Sequence, residues 1–247
     1  MKTLLTIIIS CFLISLIALL IILIIIKVKK NTKQISIYLV ALSAGTFLGG
    51  AFLHLLPEAA EKLELDLIYP VLLIAFSCYY ILEKLIHWRH CHKKACAVHA
   101  FGYMNLIGDS VHNFIDGLII ASAFLTDVKL GIATLIAVAL HEIPQEIGDF
   151  GVLIQAGFKT KKALLVNYLV AITVIFGGVV GFLLINQLTA IKPYLLVIAA
   201  GGFMYIAMSD LIPEIRQKQK LKQSTLIFSY FVAGMGLMYL VKIIHLH

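Results

Sequence analysis

The chain has 247 residues, of which 61% are hydrophobic and only 13% charged, with a formal net charge of +7. Soluble domains are usually about 45–50% apolar and about 25% charged, so this composition excludes a soluble globular protein and leaves no room for a separate soluble domain. The positive charge does not point to nucleic acid either, because the basic residues sit in short stretches between apolar runs.

A membrane-crossing helix needs about 20 mostly apolar residues. On that rule the sequence predicts eight spans, at about 3–26, 36–56, 68–87, 102–126, 129–157, 162–187, 193–212 and 224–244. The fold class is therefore all-α, a single polytopic domain over 1–247. The first span opens like a signal peptide, with Lys2 and then an apolar run. The run to Ile26 is too long for a signal h-region and no small-residue cleavage site follows, so it reads as a retained helix. Cys11 and Cys78 lie in apolar spans and read as packing residues. Cys91 and Cys96 lie in a basic loop, and nothing calls for a disulfide framework.

Basic residues orient the spans. Lys27, Lys29, Lys30 and Lys33 follow span one, and Lys84, Arg89, Lys93 and Lys94 follow span three. Lys159, Lys161 and Lys162 follow span five, and Arg216, Lys218, Lys220 and Lys222 follow span seven. Fifteen of the 20 basic residues thus fall on one side, while Glu58, Glu61, Glu64 and Asp66 fall on the other. Both termini are expected outside and the four basic loops in the cytoplasm.

Residues 42–58, LSAGTFLGGAFLHLLPE, align without gaps on 198–214, IAAGGFMYIAMSDLIPE, with identities at seven of 17 positions. The shared Leu-(Leu/Ile)-Pro-Glu ending carries more weight than the apolar matches. Span two and span seven run in opposite directions, the arrangement of an inverted repeat in secondary transporters. The repeat places His54 and Glu58 near the outer mouth, and Asp210 and Glu214 near the inner one.

Spans four and five hold the chemistry. On a helix, positions i, i+3, i+4 and i+7 share a face. Asp109, His112, Asn113 and Asp116 therefore form one polar stripe, and His141, Glu142, Gln145, Glu146 and Asp149 form another. A carboxylate at the centre of a bilayer costs roughly 2.5–3.5 kcal/mol on insertion scales, so five of them need a compensating partner. Imidazole and carboxylate donors together suit a divalent cation: Zn, Fe, Cu and Ni by the imidazoles, Mn and harder ions by the oxygens. The plainer alternative is a polar lock in which Asn113 and Gln145 hydrogen-bond between helices. Pro144 lies inside the second stripe, where it frees the carbonyl of Leu140 and is expected to kink the helix.

The basic loop after span three contains His87, His90, Cys91, His92, Cys96 and His99. It lacks the regular spacing of a structural zinc site, leaving transient cytoplasmic metal capture or a solvated polar loop. Trp88, Tyr79 and Tyr80 read as interface anchors, and His245 and His247 as a polar tail end.

At these residues a resemblance enters. His-Asn-Phe-Ile-Asp-Gly at 112–117 and His-Glu-Ile-Pro-Gln-Glu-Ile-Gly-Asp at 141–149 resemble the paired metal-binding motifs of the ZIP (Zrt-, Irt-like) divalent metal transporters, nearest to the branch bearing HEIPHE. The likeness extends to residues 53–58, to 82–84, to the histidine-rich loop, and to 201–207 with Asp210, Pro213 and Glu214. It implies eight helices with both termini outside and a binuclear metal site between spans four and five. By position, one metal would use His112, Asp116, His141, Glu142 and Gln145, with His54 nearby. A second would use Asn113 and Glu142, with Asn167 on span six. The resemblance further implies a four-helix unit moving against a static pair of spans, within a homodimer. Gln145 departs from the branch motif, which usually has His there; an oxygen donor replaces an imidazole, weakening the preference for soft metals.

The expected function is import of Zn²⁺, or of Fe²⁺, Mn²⁺ or Cd²⁺, across the cell (inner) membrane. The metal is cargo; no catalysis and no cofactor are expected, and the partners are the ion and the lipid bilayer. The pathway would run past Glu58 and His54, through Asp109, Glu146 and Asp149, and out past Asp210 and Glu214. The rival is an intramembrane metal-dependent protease, because His141-Glu142 begins an HExxH motif; position 145 is Gln, and Pro144 interrupts the helix that would align the ligands.

Overall fold

The computed structural model describes residues 2–28, 32–90, 99–216 and 221–245. Its helices are α1 (Lys2–Val28), α2 (Thr32–Gly50), α3 (Leu56–Ala60), α4 (Leu65–His90), α5 (Ala100–Thr126), α6 (Val128–Gln155), α7 (Thr160–Ala171), α8 (Thr173–Leu183), α9 (Ile185–Tyr205), α10 (Ile212–Ile215) and α11 (Leu221–His245). Among the described residues there is no strand. A π-helical turn at Ala51–Leu55 joins α2 to α3, and another at Ile206–Leu211 joins α9 to α10. With those joints and the α7–α8 pair counted as single crossings, the eight expected spans are present. Among the described residues, seven stretches are long and apolar enough to cross a membrane by length and composition alone. The eighth, α5, is 27 residues long, but its polar stripe lowers its hydropathy. The chain is a multi-pass membrane protein.

The bundle is built around α5 and α6. They pack on each other, α2 and α1 lie against α6, and α8 lies along α5. α11 runs beside α2, and α4 beside α9. Leu73 and Ile74 on α4, Phe176 on α8 and Phe228 on α11 are exposed, as suits helices whose outer faces meet lipid. In lipid, apolar side chains gain little by leaving their surroundings, so close helix contact depends on small residues. A Cβ on Gly177 would fall on the carbonyl oxygen of Phe114, and one on Gly117 on that of Val174. The α5–α8 contact is therefore backbone against backbone. Gly148 does the same for α6 and α2: a Cβ there would lie 2.7 Å from Ser43 Cβ and 2.9 Å from Ser43 Cα. That approach brings the Ser43 hydroxyl to the polar stripe of α6.

The repeat seen in the sequence is a repeat of backbone. In the first π turn the Leu56 N–H donates to the Ala51 carbonyl; in the second, the aligned Ile212 N–H donates to the aligned Ala207 carbonyl. The cause is shared. Pro57 and Pro213 have no N–H to give and crowd the carbonyl four residues back, and a five-residue turn relieves that crowding. Phe47 and Phe203, also aligned, stack on each other with ring centroids 4.4 Å apart and planes 4° from parallel, so the two copies meet at these rings. The segments run in opposite directions: Glu58 meets Lys192 near the start of α9, while Ser36 near the start of α2 shares Gln155 with Glu214.

Several expectations are corrected. α6 continues as one helix through Pro144. Span six is broken at Ile172, between α7 and α8, and ends at Leu184 rather than 187. Helix occupies both ends of the stretch 88–101, with α4 reaching His90 and α5 starting at Ala100. Tyr79 is no interface anchor; it is buried, packed over Gly202 and beside Tyr205. Cys78 faces outward, whereas Cys11 is buried as expected.

Candidate metal centre

The two stripes face each other. His112 and Asp116 on α5 meet His141 and Glu142 on α6, with one ligand atom from each of the four lying within 4.8 Å of every other. His141 Nε2 is 2.8 Å from Asp116 Oδ2 and 3.8 Å from Glu142 Oε1. His112 Nε2 is 3.2 Å from Glu142 Oε1 and 3.5 Å from Asp116 Oδ2. Four donors about 2.0–2.1 Å from a tetrahedral Zn²⁺ are about 3.3 Å apart, and the observed separations bracket that figure. His112 Nδ1 and Glu142 Oε2 are buried without a hydrogen-bond partner, and His112 Nε2 and Glu142 Oε1 face only each other and the rest of the cluster. Buried polar atoms are rarely left so, and a cation among them would engage the facing lone pairs.

A cavity of about 370 Å³ leads away from this cluster. His112, Asp116, His141 and Gln145 line its floor, His54 and Phe203 its wall, and Glu58, Glu61, Lys192 and Lys242 its mouth. His54 lies 6.2 Å, centroid to centroid, from His141, and its Nε2 is 2.9 Å from the Met238 carbonyl oxygen. Glu58 is in an ion pair with Lys192 at 2.7 Å.

On the far side of the cluster the polar groups are buried. Asn113 Nδ2 donates to Asp109 Oδ1 at 2.8 Å, and Gln145 Nε2 donates to the same oxygen at 3.4 Å. Asn167 donates to Glu146 Oε2, and Ser43 donates to Asp149 Oδ1 at 3.2 Å. The amides expected around a second metal are thus tied to Asp109 and Glu146. The proposed lock by Asn113 and Gln145 is real but has Asp109 as its hub, with only the Gln145 bond crossing between helices. Beyond these, Gln155 Nε2 donates to Glu214 Oε1 at 2.7 Å and Gln155 Oε1 accepts from Ser36 at 2.8 Å. Asp210 lies near Glu83, which receives the Tyr205 hydroxyl.

The cytoplasmic capture loop is only partly in view. Cys91, His92 and Cys96, and the side chains of His87 and His90, lie outside the described residues. His99 is exposed at the start of α5, stacked on Phe101, and its N–H donates to the Ala156 carbonyl.

Sequence reasoning missed Ser43, Asn105, Gln155 and the pairing role of Lys192. Asn105 was within reach, because it precedes Asp109 by one helical turn on the same stripe. The other three depend on packing between distant segments.

A helical bundle that carries a short inverted repeat and a buried His–carboxylate cluster defines a multi-pass membrane protein with a candidate metal site. The chain belongs to the ZIP zinc transporter family: the family model described as ZIP Zinc transporter matches residues 1–100 and 89–242. Among similar proteins, Zinc transporter zipt-7.2 of Caenorhabditis elegans is 38% identical over 145 residues, covering 57% of this chain and 31% of its own. Zinc transporter ZIP10 of Danio rerio is 33% identical over 161 residues, covering 62% and 19%. Zinc transporter ZIP6 of Homo sapiens is 34% identical over 157 residues, covering 61% and 21%. The matched segment thus spans a third or less of the length of these relatives.

Proposed function

We propose that the chain carries Zn²⁺, or a similar divalent cation, across the membrane through the cluster of His112, Asp116, His141 and Glu142. One observation carries this reading: two imidazoles and two carboxylates, from two helices, at separations that suit a single four-coordinate ion. The names of the similar proteins support zinc as the cargo. In the mechanism, the ion passes Glu58 and His54, exchanges water for the four side chains, and proceeds by way of Asp109, Glu146 and Asp149 toward Asp210 and Glu214. Gln145 borders the first site and Asn113 and Asn167 the route beyond it. The distribution of basic residues supports both termini outside and the cavity mouth facing outward, an arrangement that suits entry of the ion from outside. The whole of 1–247 acts as one transport domain in the cell (inner) membrane, within a homodimer. A hydrolase is disfavoured because residue 145 gives its amide to Asp109 and offers no second imidazole.

Uptake of radiolabelled zinc into proteoliposomes tests the reading. His141→Ala removes a direct ligand and is expected to lower uptake by more than the roughly 10–100-fold typical of losing an indirect ligand support, with the protein still monodisperse. Unchanged uptake would remove the cluster from the pathway.

A further inference from the structure

The junction of α10 and α11 holds a groove of about 400 Å³, separate from the cavity that leads to the histidines. Its lining is sorted along its length. Arg216 and Ser224 stand at one end, and Ile212, Ile215, Ile227, Phe228 and Phe231 line the rest. Ser224 lies near the start of α11 and Phe231 two turns further on, so the groove runs about 10 Å along the helix at 1.5 Å per residue. Arg216 directly follows α10, and its backbone N–H donates to the carbonyls of Ile212 and Pro213, which fixes it at the lip. Ile227 is 3% exposed and Phe228 63%, so a packed floor meets a wall open to lipid. The rings of Phe228 and Phe231 lie 6.4 Å apart, centroid to centroid.

The charge at the lip is positive. Arg216 is exposed and has no ion pair among the described residues. The nearest acid in the chain, Glu214, is taken by Gln155. From Arg216 to Lys222 the sequence has four basic residues and no acid. A groove that is apolar in its depth and basic at its lip matches a phospholipid with an anionic head, and basic pockets at the ends of membrane helices recognise such heads. A zwitterionic head brings its own cation and gains less from Arg216. We propose that this groove binds one anionic phospholipid, with its head at Arg216 and Ser224 and an acyl chain against Ile215, Phe228 and Phe231. Glu214 lies on the same short helix, so a lipid seated there braces α10 and steadies the Gln155–Glu214 hydrogen bond. The bearing of that brace on ion passage rests on the transport reading above; binding of the lipid does not.

Native mass spectrometry of the full chain in detergent, offered equal amounts of phosphatidylglycerol and phosphatidylcholine with the same acyl chains, tests the proposal. Wild type is expected to retain one phosphatidylglycerol, favoured about fivefold, the effect of one basic residue beside an anionic head. In Arg216→Gln the preference should vanish. Ser224→Phe fills the groove and should remove the retained lipid of either kind. If Ser224→Phe does not fold, Phe228→Ser, at a position exposed to lipid, should weaken retention of both lipids several-fold and keep the preference. Lys161→Gln, at an exposed lysine near the start of α7, should change nothing. An unchanged preference in Arg216→Gln, or an equal loss in Lys161→Gln, would mean diffuse surface charge and overturn the site. Inorganic phosphate, which has the charge and no chain, should not displace the lipid; displacement would mean an ion contact only and would also overturn it. Absence of zinc uptake by wild type that keeps its phosphatidylglycerol would count against the transport reading and not against this site.

Discussion

The two ends of the repeat share a Leu-(Leu/Ile)-Pro-Glu ending and a π-helical turn, yet one end is open and the other shut. At the open end Glu58 pairs with Lys192, and the cavity beside them descends to His112 and His141. At the shut end Glu214 is bound by Gln155, which also holds Ser36 on α2. The backbone turns are equivalent, since the same proline chemistry makes both. What differs is the partner. Lys192 lies on α9, the helix that leads into the second copy of the repeat, while Gln155 is lent by α6, the helix that also supplies His141 and Glu142. The two ends therefore differ in what holds their glutamates, and α6 ties only the Glu214 end.

Removing the tie at the shut end should have the largest effect. Gln155→Leu deletes two hydrogen bonds, one of them to a carboxylate, together worth about 2–4 kcal/mol. Amide hydrogen exchange in α10 and at the start of α2 is expected to quicken by roughly 30-fold or more, with α3 unaffected. Equal quickening at both ends would mean that the tie does not distinguish them.

At the open end the expected effect is smaller. Glu58 and Lys192 are both partly exposed, and such pairs contribute about 0–1 kcal/mol. Lys192→Met should therefore leave thermal stability almost unchanged. It removes a positive charge from the mouth of a cation path, so zinc uptake at low ionic strength should rise a few-fold. The gain should fade near 0.15 M salt, where the screening length is about 8 Å. A gain independent of salt would place the effect of Lys192 in packing and not in charge.

Between the ends, Gln145→His is expected to be the mildest change. It gives the first site an imidazole and takes a donor from Asp109. Competition between Zn²⁺ and Mn²⁺ for uptake should move toward zinc by a few-fold, and an unaltered profile would remove Gln145 from selectivity.

Much of this was legible in the chain because lipid makes local patterns costly to break. Span four is polar at its middle but legible as a span from its strongly apolar flanks, and its 3.6-residue stripe of Asp109, His112, Asn113 and Asp116 supplies the His112 and Asp116 that meet His141 and Glu142. The repeat was legible because its two copies share the Leu-(Leu/Ile)-Pro-Glu ending, and both copies carry a π-helical turn just before that proline. Other features depend on contacts that no local pattern encodes. Tyr79 is buried because Gly202, far along the chain, leaves room for its ring. The break at Ile172 lies in an unpunctuated apolar run. Which amide holds which carboxylate follows from the close approach of α2 to Gly148 and from the placing of Asn167 on α7.

The central claim is that His112, Asp116, His141 and Glu142 together hold the transported ion, and zinc K-edge X-ray absorption of the purified chain with one equivalent of Zn²⁺ tests it most directly. The account expects a first shell of nitrogen and oxygen at about 2.0–2.1 Å, with the outer-shell scattering of two imidazoles, falling to one in His141→Ala. A sulfur shell near 2.3 Å, or a spectrum unchanged by His141→Ala, would contradict it.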